Sequence, residues 1–432
     1  MKFCDITIAY NESSGGVRTY IDEKRRYLLG RTHYEHLLIV PGEEDRVVRQ
    51  GRSTTVHIRS PLLPGQDNYR CFIWPHSVKQ VLLEHQPDII ELGSYYVEPW
   101  AAFAYRDTLR EDGRNCLIGC YFHTDVAEAY VGAPLRAMAH DWFDDWSSSL
   151  AEIAEKFAHL AEARAEKYIS GIFDLCDVAF AASPSQAARL REYGVSEPEI
   201  VPLGVDLELF DPARRSEAVR TRYGARPDSL VLIYAGRLST EKQVFLLVDA
   251  LQKLPADLRA VLWMVGHGPL HDEMQEMSGH IEALHLLPYE NERARFAQML
   301  ASADIYVTAG PFETFGLSVI EAQASGLPVV GVDAGALRDR ITRDIGYLGP
   351  VGDAGAMADN IVKAAVERTV LGARARRHVE QHFSWNSTFE KLLACYTTEL
   401  EVLSGVLPSS RSSTVEDGQM EGGTHSLESP VR

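Results

Sequence analysis

The chain has 432 residues, of which 45% are hydrophobic, so it can bury more than one core and is predicted to form two domains. Its 43 Lys and Arg residues are outnumbered by 61 Asp and Glu residues, and the resulting net charge of −18 argues against general nucleic-acid binding. Because no apolar run is long enough for a membrane span and the start, MKFCDITIAY, has neither a basic region nor a cleavage signal, we expect a cytoplasmic protein.

Short apolar segments alternate with longer helix-periodic segments through the first half of the chain. This alternation is typical of a parallel sheet that helices cover on both faces. The segment 146–171 is amphipathic and is predicted to be a packed surface helix. The strands predicted in this half are 3–9, 36–41, 55–58, 88–92, 116–122 and 178–182.

The same pattern restarts after the segment IVPLGVDLELFDP, so a domain boundary is predicted between 205 and 225. Each new strand is again followed by a segment of helix length. We therefore predict an α/β fold with two doubly wound, Rossmann-like domains that face each other across a cleft. From Pro408 onward the chain lacks an apolar period and is predicted to be disordered. The strands predicted in this half are 230–235, 260–265, 304–308 and 328–332.

Two strand ends in the first half carry residues that suit a phosphorylated sugar. After the first strand, Gly15 and Gly16 end a loop and begin a helix. Paired glycines let a backbone approach a ligand closely, and a helix start favours phosphate. After the strand CLIGCYF comes His123, in the motif FHTD. A Gly-Gly turn and a strand-end histidine are also common structural features, so neither indicates a function by itself.

The second half adds two cations and two carboxylates. Arg237 and Lys242, in YAGRLSTEK, flank a helix start where both can reach a diphosphate, although a solvated charged loop would look similar. Glu313 lies in a loop of PFETFGLSVIEAQASGLPVVG, and Glu321 lies in the helix that Gly316 opens. Ionised carboxylates only accept hydrogen bonds, and sugars offer many donors. Since ligands bind at the carboxyl ends of parallel strands, the combined pattern predicts a site for a phosphorylated sugar.

These motifs resemble those of the GT-B-fold retaining glycosyltransferases of family 4. The resemblance covers most of residues 1–400 and rests on SGGVRTY, FHTD, SPSQ, VPLGVD, AGRLSTEK, VGHGPL and ETFGLSVIEAQASGLPVV, in the family's order. It implies an N-terminal, acceptor-side domain at 1–205 and a C-terminal, nucleotide-sugar-binding domain at 206–384. It also implies a helix at 385–404 that returns to the first domain, with 405–432 as a disordered tail.

By this resemblance, the second half binds most of the donor. Arg237 and Lys242 bind the donor diphosphate and neutralise the leaving nucleotide. Glu313 contacts the hydroxyl groups of the transferred sugar, and Glu321 accepts hydrogen bonds from the ribose hydroxyl groups. The backbone N–H groups implied to hold the sugar and phosphate are those around Phe315, Gly316 and Leu317.

The first half contributes fewer residues to the implied site. His123 resembles the family histidine that hydrogen-bonds the donor sugar near the reacting carbon. Gly16 resembles the residue that lets the first-domain loop close over the diphosphate. One departure from the family pattern lies on the other side of the cleft. Members often read EKG after the arginine motif, whereas this chain has Gln243 at the glycine position, so a small difference in the backbone is expected there.

The resemblance implies a retaining hexosyltransferase that needs no metal and no cofactor besides its nucleotide-sugar donor. Cleavage of the bond between the anomeric carbon and phosphate leaves negative charge on the nucleoside diphosphate, which fixed cations stabilise. The chain also lacks an Asp-x-Asp pair, the usual ligand of a metal bound to diphosphate. No C-x-x-C spacing indicates zinc, and Cys116 and Cys120 are predicted to be buried thiols.

Among family members, the motifs are most similar to those of bacterial mannosyltransferases that use GDP-mannose, including α-1,6-type enzymes. Mannose is therefore the hexose that the resemblance favours, and the implied acceptor is a glycan or a lipid. Enzymes that use UDP-glucose or UDP-sulfoquinovose share the His-Thr pattern, so a UDP-sugar-dependent glucosyl- or sulfoquinovosyl-type transferase stays an alternative. Selectivity for the base is expected near 265–269 and 287–292, where the sequence does not separate guanine from uracil.

Two alternatives belong to other functional classes. A GT-B-fold nucleotide-sugar epimerase would need a pair of catalytic carboxylates near His123, and the sequence offers none there. A non-catalytic sugar-nucleotide sensor would keep the binding groups but release no nucleotide. The first helix also carries a group of basic residues. Such a group would suit a weak peripheral contact with an anionic membrane surface, whereas the alternative is that these charges are simply solvated. The members of that group are Lys24, Arg25, Arg26 and Arg31.

Overall fold

The computed structural model describes residues 1–11, 15–63, 69–132, 135 and 148–403. The tail predicted at 405–432 lies outside the described residues. Two sheets, one in each half of the chain, organise the structure. None of the helices in this described part is both long and apolar enough to cross a membrane.

The first sheet spans eight strands of the described chain. They are β1 (Lys2–Ile6), β2 (Glu35–Gly42), β3 (Arg46–Gln50), β4 (Ser53–Arg59), β5 (Ile89–Leu92), β6 (Leu117–Phe122), β7 (Val178–Ala181) and β8 (Glu199–Ile200). Their order is β3-β4-β2-β1-β5-β6-β7-β8. All neighbours are parallel except β3 and β4, which form an antiparallel hairpin at one edge. The helices of this half are α1 (Gly16–Arg31), α2 (Pro75–His85), α3 (Glu98–Glu111), α4 (Ser148–Asp174) and α5 (Pro184–Glu192), with a π-helical segment at Ala127–Gly132.

The second sheet is parallel throughout its described strands. They are β9 (Val231–Ala235), β10 (Val261–Val265), β11 (Leu284–Leu287), β12 (Ile305–Val307), β13 (Val329–Val332) and β14 (Gly346–Gly349), in the order β11-β10-β9-β12-β13-β14. The helices that follow the first half are α6 (Glu217–Arg222), α7 (Val244–Gln252), α8 (His271–His280), α9 (Arg293–Ser302), α10 (Leu317–Ala324), α11 (Leu337–Arg340), α12 (Ala354–His382) and α13 (Trp385–Leu403).

Both sheets reverse their strand order at one point, as doubly wound sheets do. In the first sheet, β1 lies between β2 and β5, and in the second, β9 lies between β10 and β12. The chain therefore leaves the sheet in opposite directions on the two sides of β1 and of β9, which opens a crevice at the carboxyl ends of these strands. The predicted α/β fold of two doubly wound domains is confirmed.

The central strands are buried along their whole length, because helices cover both faces of a parallel sheet. Every residue of β6, β9 and β10 is buried. This explains why these strands appear in the sequence as continuous apolar runs. Cys116 and Cys120 are buried in the core of the first half, and burial raises the pKa of both thiols, so the prediction of buried, neutral thiols is confirmed.

Helix α13 packs on the first sheet although it follows the second in sequence. The Tyr396 ring lies edge-on to Phe3, with 5.4 Å between the ring centroids, and Phe389 packs against Tyr20 at 5.7 Å. Where the chain passes between the two halves, the Val205 backbone N–H donates to the carbonyl of Phe383 at 3.2 Å. The segment of chain that enters the second half and the segment that leaves it therefore run side by side between the sheets.

The basic face predicted on α1 is wrong, because its first member is inside the protein. Lys24 is fully buried, and its ammonium lies 2.6 Å from Asp5 and 2.7 Å from Glu91. Arg25 is partly buried. The pairing carboxylates lie on β1 and β5, far from Lys24 in sequence, so the charge pattern of the helix alone could not reveal them. The members of the group that are exposed are Arg26 and Arg31.

Candidate functional site

Gly16 begins α1 after the loop that follows β1, at the edge of the first sheet that borders the crevice. A Cβ added at Gly16 would meet no atom of the described chain within 4 Å. Packing against the described residues therefore does not demand a glycine at this position. A requirement for glycine would have to come from a bound molecule that approaches the helix start.

His123 follows β6 and packs against two tyrosine rings that also contact each other. Its imidazole is stacked on Tyr121, with the centroids 4.3 Å apart and an interplanar angle of 12°, and it meets Tyr20 at 5.0 Å and 61°. Burial, assisted by the nearby charge of Lys24, lowers the pKa of His123 to about 3. The ring is therefore neutral at pH 7. It can donate or accept a hydrogen bond but does not act as a cationic acid.

Arg237 follows β9 and faces the first domain. Its guanidinium carbon lies 5.6 Å from the centroid of the Tyr69 ring, which belongs to a loop between β4 and α2. The Arg237 carbonyl also accepts a hydrogen bond from the Tyr234 hydroxyl at 2.8 Å, which fixes the loop at the end of β9. The cation is thus presented towards the crevice from a backbone that is tied to the sheet.

Lys242 ends the 3₁₀ turn Thr240–Lys242, and its ammonium lies 2.9 Å from the Glu313 carboxylate. The loops after β9 and β12 are brought together by this ion pair. Burial disfavours the charged carboxylate, but Lys242 and the backbone N–H groups of Gly316 and Phe315 outweigh it and lower the pKa of Glu313. Glu313 is therefore ionised at pH 7 and acts as an acceptor only.

Gln243, at the position where family members often have glycine, adopts a left-handed backbone with φ of 48° and ψ of 44°. A glycine takes up this conformation without the steric cost that a side chain adds. Gln243 therefore holds a conformation that glycine adopts more readily, and the small difference in the backbone expected at this position stays a prediction.

The backbone N–H groups expected to hold sugar and phosphate lie at the start of α10. Gly316 has a left-handed φ of 81° and caps the helix that Leu317 begins. In this structure the Gly316 N–H donates to Glu313 Oε1 at 3.0 Å. Glu313 thus occupies the helix start that was expected to receive the donor, while its other oxygen contacts Lys242.

Glu321 lies inside α10 and pairs with a residue that sequence reasoning missed. Its carboxylate is 2.5 Å from the guanidinium of Arg293, the first residue of α9. Burial raises the pKa of Glu321, and the charge of Arg293 opposes this rise. The Arg293 guanidinium in turn rests on the Phe210 ring at 4.9 Å, beside the segment that connects the two halves. Arg293 lies in the segment NERARF, whose alternating charges gave no sign of this contact.

Contacts between the two halves cluster beside these loops. The Thr314 hydroxyl, one residue after Glu313, donates to the carbonyl of His123 at 2.6 Å. Asp339 on α11 accepts from the hydroxyl of Ser185 at 2.6 Å, in the SPSQ motif. These bonds bring His123 of the first half next to the loop of the second half that carries Glu313. The structure thus groups His123, Lys242 and Glu313 around one crevice.

Arg340 is a second residue that sequence reasoning missed. Its side chain is buried, and its guanidinium donates to the carbonyl of Phe315 and to that of Ala182, each at 3.1 Å. It also lies 4.1 Å from the centroid of the Phe315 ring. The same side chain therefore contacts the loop at the start of α10 and the first half of the chain.

The glycines of the VGHGPL motif are explained by close packing at the ends of β9 and β10. A Cβ at Gly266 would lie 1.9 Å from the carbonyl oxygen of Gly236, and Gly266 has a φ of 158°. At Gly268 it would lie 2.3 Å from the carbonyl oxygen of Leu238. No larger residue fits at either position without a shift of the backbone. These glycines set the path of the loop next to Arg237.

Comparison with known proteins agrees with this architecture. Residues 14–209 match the family model described as Glycosyltransferase Family 4, and residues 216–378 match the model described as Glycosyl transferases group 1. Sucrose-phosphate synthase from Thermosynechococcus elongatus superposes with a TM-score of 0.71 at 17% identity, over 93% of this chain and 100% of that one. The two facing sheets are those of a GT-B glycosyltransferase.

Two bacterial relatives support this assignment by their sequence identity to the chain. The chain is 30% identical to a GDP-mannose-dependent alpha-(1-6)-phosphatidylinositol dimannoside mannosyltransferase of Mycobacterium tuberculosis, over 91% of this chain and 95% of the relative. It is 28% identical to a GDP-mannose-dependent alpha-mannosyltransferase of Corynebacterium glutamicum, over 81% of this chain and 76% of the relative. The chain therefore belongs to glycosyltransferase family 4, and it is an enzyme that transfers a hexose from a nucleotide sugar.

Proposed function

We propose that this enzyme moves mannose from GDP-mannose to a glycan or lipid acceptor, with retention of configuration at the anomeric carbon. The two relatives described above, whose names specify GDP-mannose and mannosyl transfer, support the donor. The structural observation that carries the proposal is the ion pair of Lys242 and Glu313, which places a cation and an ionised carboxylate at the switch point of the second sheet.

Lys242 and Arg237 are the groups that we assign to the diphosphate. An ammonium has three donors, so Lys242 can keep Glu313 and still donate to a phosphate oxygen. Arg237 approaches the crevice from the neighbouring loop, and its planar guanidinium suits two phosphate oxygens at once. As the bond between the anomeric carbon and phosphate breaks, negative charge grows on the diphosphate. Cations already fixed beside it stabilise this charge without having to reorganise.

Glu313 and His123 are the groups that we assign to the sugar. Ionised Glu313 accepts from sugar hydroxyl groups, and neutral His123 offers one donor and one acceptor without adding charge. The Gly316 N–H already donates to Glu313. For the donor to reach the helix start, this N–H has to donate to the donor as well as to Glu313, or in place of Glu313. The N–H groups of Phe315, Gly316 and Leu317 would then serve the sugar and the phosphate.

Glu321 is assigned to the ribose. It is buried beside Arg293, whose charge favours its ionised form. An ionised carboxylate can accept from two adjacent ribose hydroxyl groups. Arg293 itself binds Glu321 from the side of α9, so it acts on the nucleotide through that carboxylate.

The donor is enclosed by both halves of the chain. We propose residues 1–205 as the acceptor-side domain, 206–384 as the donor domain and 385–404 as the helix that returns to the first domain. Gly16 and His123 then close over a donor that the second domain binds. The contact between Thr314 and the His123 carbonyl supports a closed arrangement, since it joins the donor loop to the first domain.

Three further features of the enzyme stay proposals. Transfer should be metal-independent, because Lys242 and Arg237 supply the positive charge that a metal would otherwise supply. Full activity in excess EDTA is the expected result, whereas loss that magnesium or manganese restores would contradict it. We also propose action in the cytoplasm, with at most a weak peripheral contact with a membrane.

A donor and acceptor panel tests the proposed function. Purified enzyme is incubated with GDP-mannose, UDP-glucose or UDP-sulfoquinovose, with phosphatidylinositol dimannoside or a mannose oligosaccharide as acceptor. We expect release of GDP that depends on the acceptor, and an α-linked mannose in the product by NMR. Release of UDP would favour the UDP-sugar alternative. Epimerised donor without transfer, or tight binding without release of nucleotide, would favour the epimerase or the sensor instead.

A further inference from the structure

Helix α1 presents Gly16, Tyr20 and Lys24 at a spacing of four residues, which places them on one face of the helix. Gly16 lies at the crevice, whereas Tyr20 and Lys24 are fully buried. The face therefore runs from the donor site into the core of the first domain. Nothing in the proposed roles of the site residues accounts for the buried part of it.

The inner end of this face is a buried group of charges. The Lys24 ammonium contacts Asp5 at 2.6 Å and Glu91 at 2.7 Å. His36 binds the second oxygen of Asp5 at 2.8 Å. Charges removed from water at this depth are stable only when their partners are held in place, so the side chains of the group are fixed.

Glu91 also accepts hydrogen bonds from two buried tyrosines. The Tyr20 hydroxyl donates to Oε1 at 2.8 Å, and the Tyr396 hydroxyl donates to Oε2 at 3.2 Å. Both phenols are buried, and the Tyr20 hydroxyl also lies 3.5 Å from the Lys24 ammonium. Their rings differ in what they touch. The Tyr20 ring meets His123, whereas the Tyr396 ring packs on Phe3 and Phe180.

We infer that Tyr20 is a positioning residue for sugar transfer, whose hydroxyl is fixed by Glu91 so that its ring sets the orientation of the His123 imidazole. Tyr121 stacks on one face of the imidazole at 4.3 Å and also contacts the Tyr20 ring at 5.1 Å, so Tyr20, Tyr121 and His123 form one cluster of mutually packed rings. The inference rests on the proposed role of His123 at the donor sugar. It extends that role to a residue that does not itself touch the donor.

A double-mutant cycle with a matched control tests the inference in the full-length enzyme. Tyr20→Phe and Tyr396→Phe each remove one hydroxyl from Glu91, so both should lower the melting temperature by a similar amount. Only Tyr20→Phe should lower kcat, by about tenfold with the donor KM within about twofold, because a misplaced group near the reacting carbon weakens transition-state contacts more than binding. Tyr396→Phe should keep kcat within about twofold.

The second arm repeats Tyr20→Phe in the background of His123→Ala. If Tyr20 acts through His123, the second substitution should change kcat by less than about twofold there. Equal losses of kcat in Tyr20→Phe and Tyr396→Phe, or fully additive losses in the double variant, would overturn the inference alone. Normal kcat in His123→Ala would overturn the proposed role of His123 and the inference with it.

Discussion

The Lys242 ammonium lies 2.9 Å from the carboxylate of Glu313, although the two residues come from different strand-end loops. One of them is assigned to the phosphate of the donor and the other to its sugar. Their contact fixes the distance between the two proposed subsites. It also helps to keep Glu313 ionised in a partly buried place, because the Lys242 charge opposes the effect of burial on the pKa of this carboxyl.

The lowered pKa of His123 predicts how the free energy of unfolding depends on pH. Its pKa is lowered from 6.5 to about 3, so below pH 6.5 the unfolded chain takes up a proton that the folded protein does not. The free energy of unfolding should therefore fall as pH drops from 6.5 towards 3. His123→Gln removes this titration and should flatten that part of the pH dependence. Urea denaturation of both proteins at pH 7, 6 and 5 measures it, and parallel curves would contradict the prediction.

Arg293 should strengthen nucleotide binding by keeping Glu321 charged. Without this cation, burial favours the protonated carboxyl, which loses acceptor capacity for the ribose. Arg293→Met should weaken binding of free GDP by about tenfold, or about 1.4 kcal/mol, and more strongly at pH 6 than at pH 8. Calorimetry at the two pH values is the measurement.

Arg295→Met is the matched control for that experiment. Arg295 lies two residues further along α9 and pairs with Glu292 at 2.8 Å on the surface. Its loss should leave GDP binding unchanged, because exposed ion pairs contribute little. An equal weakening in both variants would mean that the general charge of α9, rather than the contact with Glu321, attracts the nucleotide.

Gly16 should matter for transfer and hardly at all for folding. A Cβ at Gly16 or at Gly30, near the other end of α1, meets no atom of the described chain within 4 Å, so valine should fit at both positions. Gly16→Val should abolish transfer, since its side chain would keep the first-domain loop from the diphosphate. It should leave binding of free GDP nearly intact, because the proposed nucleotide contacts lie mainly in the second domain.

Gly30→Val is the control for this substitution and should keep full transfer activity. Turnover and GDP calorimetry are measured on both variants, with melting temperatures to compare their folding. If Gly16→Val lost binding and transfer to the same extent, Gly16 would be a structural residue or the cleft would already be closed without ligand.

The sequence was sufficient for the parts of the fold that depend on local patterns. All ten predicted strands are present, because buried parallel strands appear in the sequence as apolar runs. The strands that were missed are short or lie at sheet edges, such as the polar hairpin strand Arg46–Gln50. An edge strand needs no apolar run, so its sequence resembles a loop.

The site residues can be divided in the same way. Some are revealed by a local motif, whereas others depend on contacts between residues far apart in sequence. His123, Arg237 and Glu313 could be found because each lies in the loop after a strand, in a recognisable motif. The contact of Arg293 with Glu321 could not be predicted, because it joins two helices across 28 residues of sequence. The burial of Lys24 was hidden for the same reason, since helix periodicity does not show which carboxylates a neighbouring strand presents.

Turnover of Lys242→Ala and Arg237→Ala at saturating GDP-mannose tests the central claim most directly. Each change removes a charge-assisted bond to the leaving diphosphate, worth about 1.5–3 kcal/mol, so kcat should fall by about 10- to 150-fold while the melting temperature changes little. Arg374→Ala is the control, since Arg374 is an exposed cation of the same half that lies 3.5 Å from Asp344. Near-normal kcat in either site variant, or an equal loss in the control, would contradict the assignment of the diphosphate site.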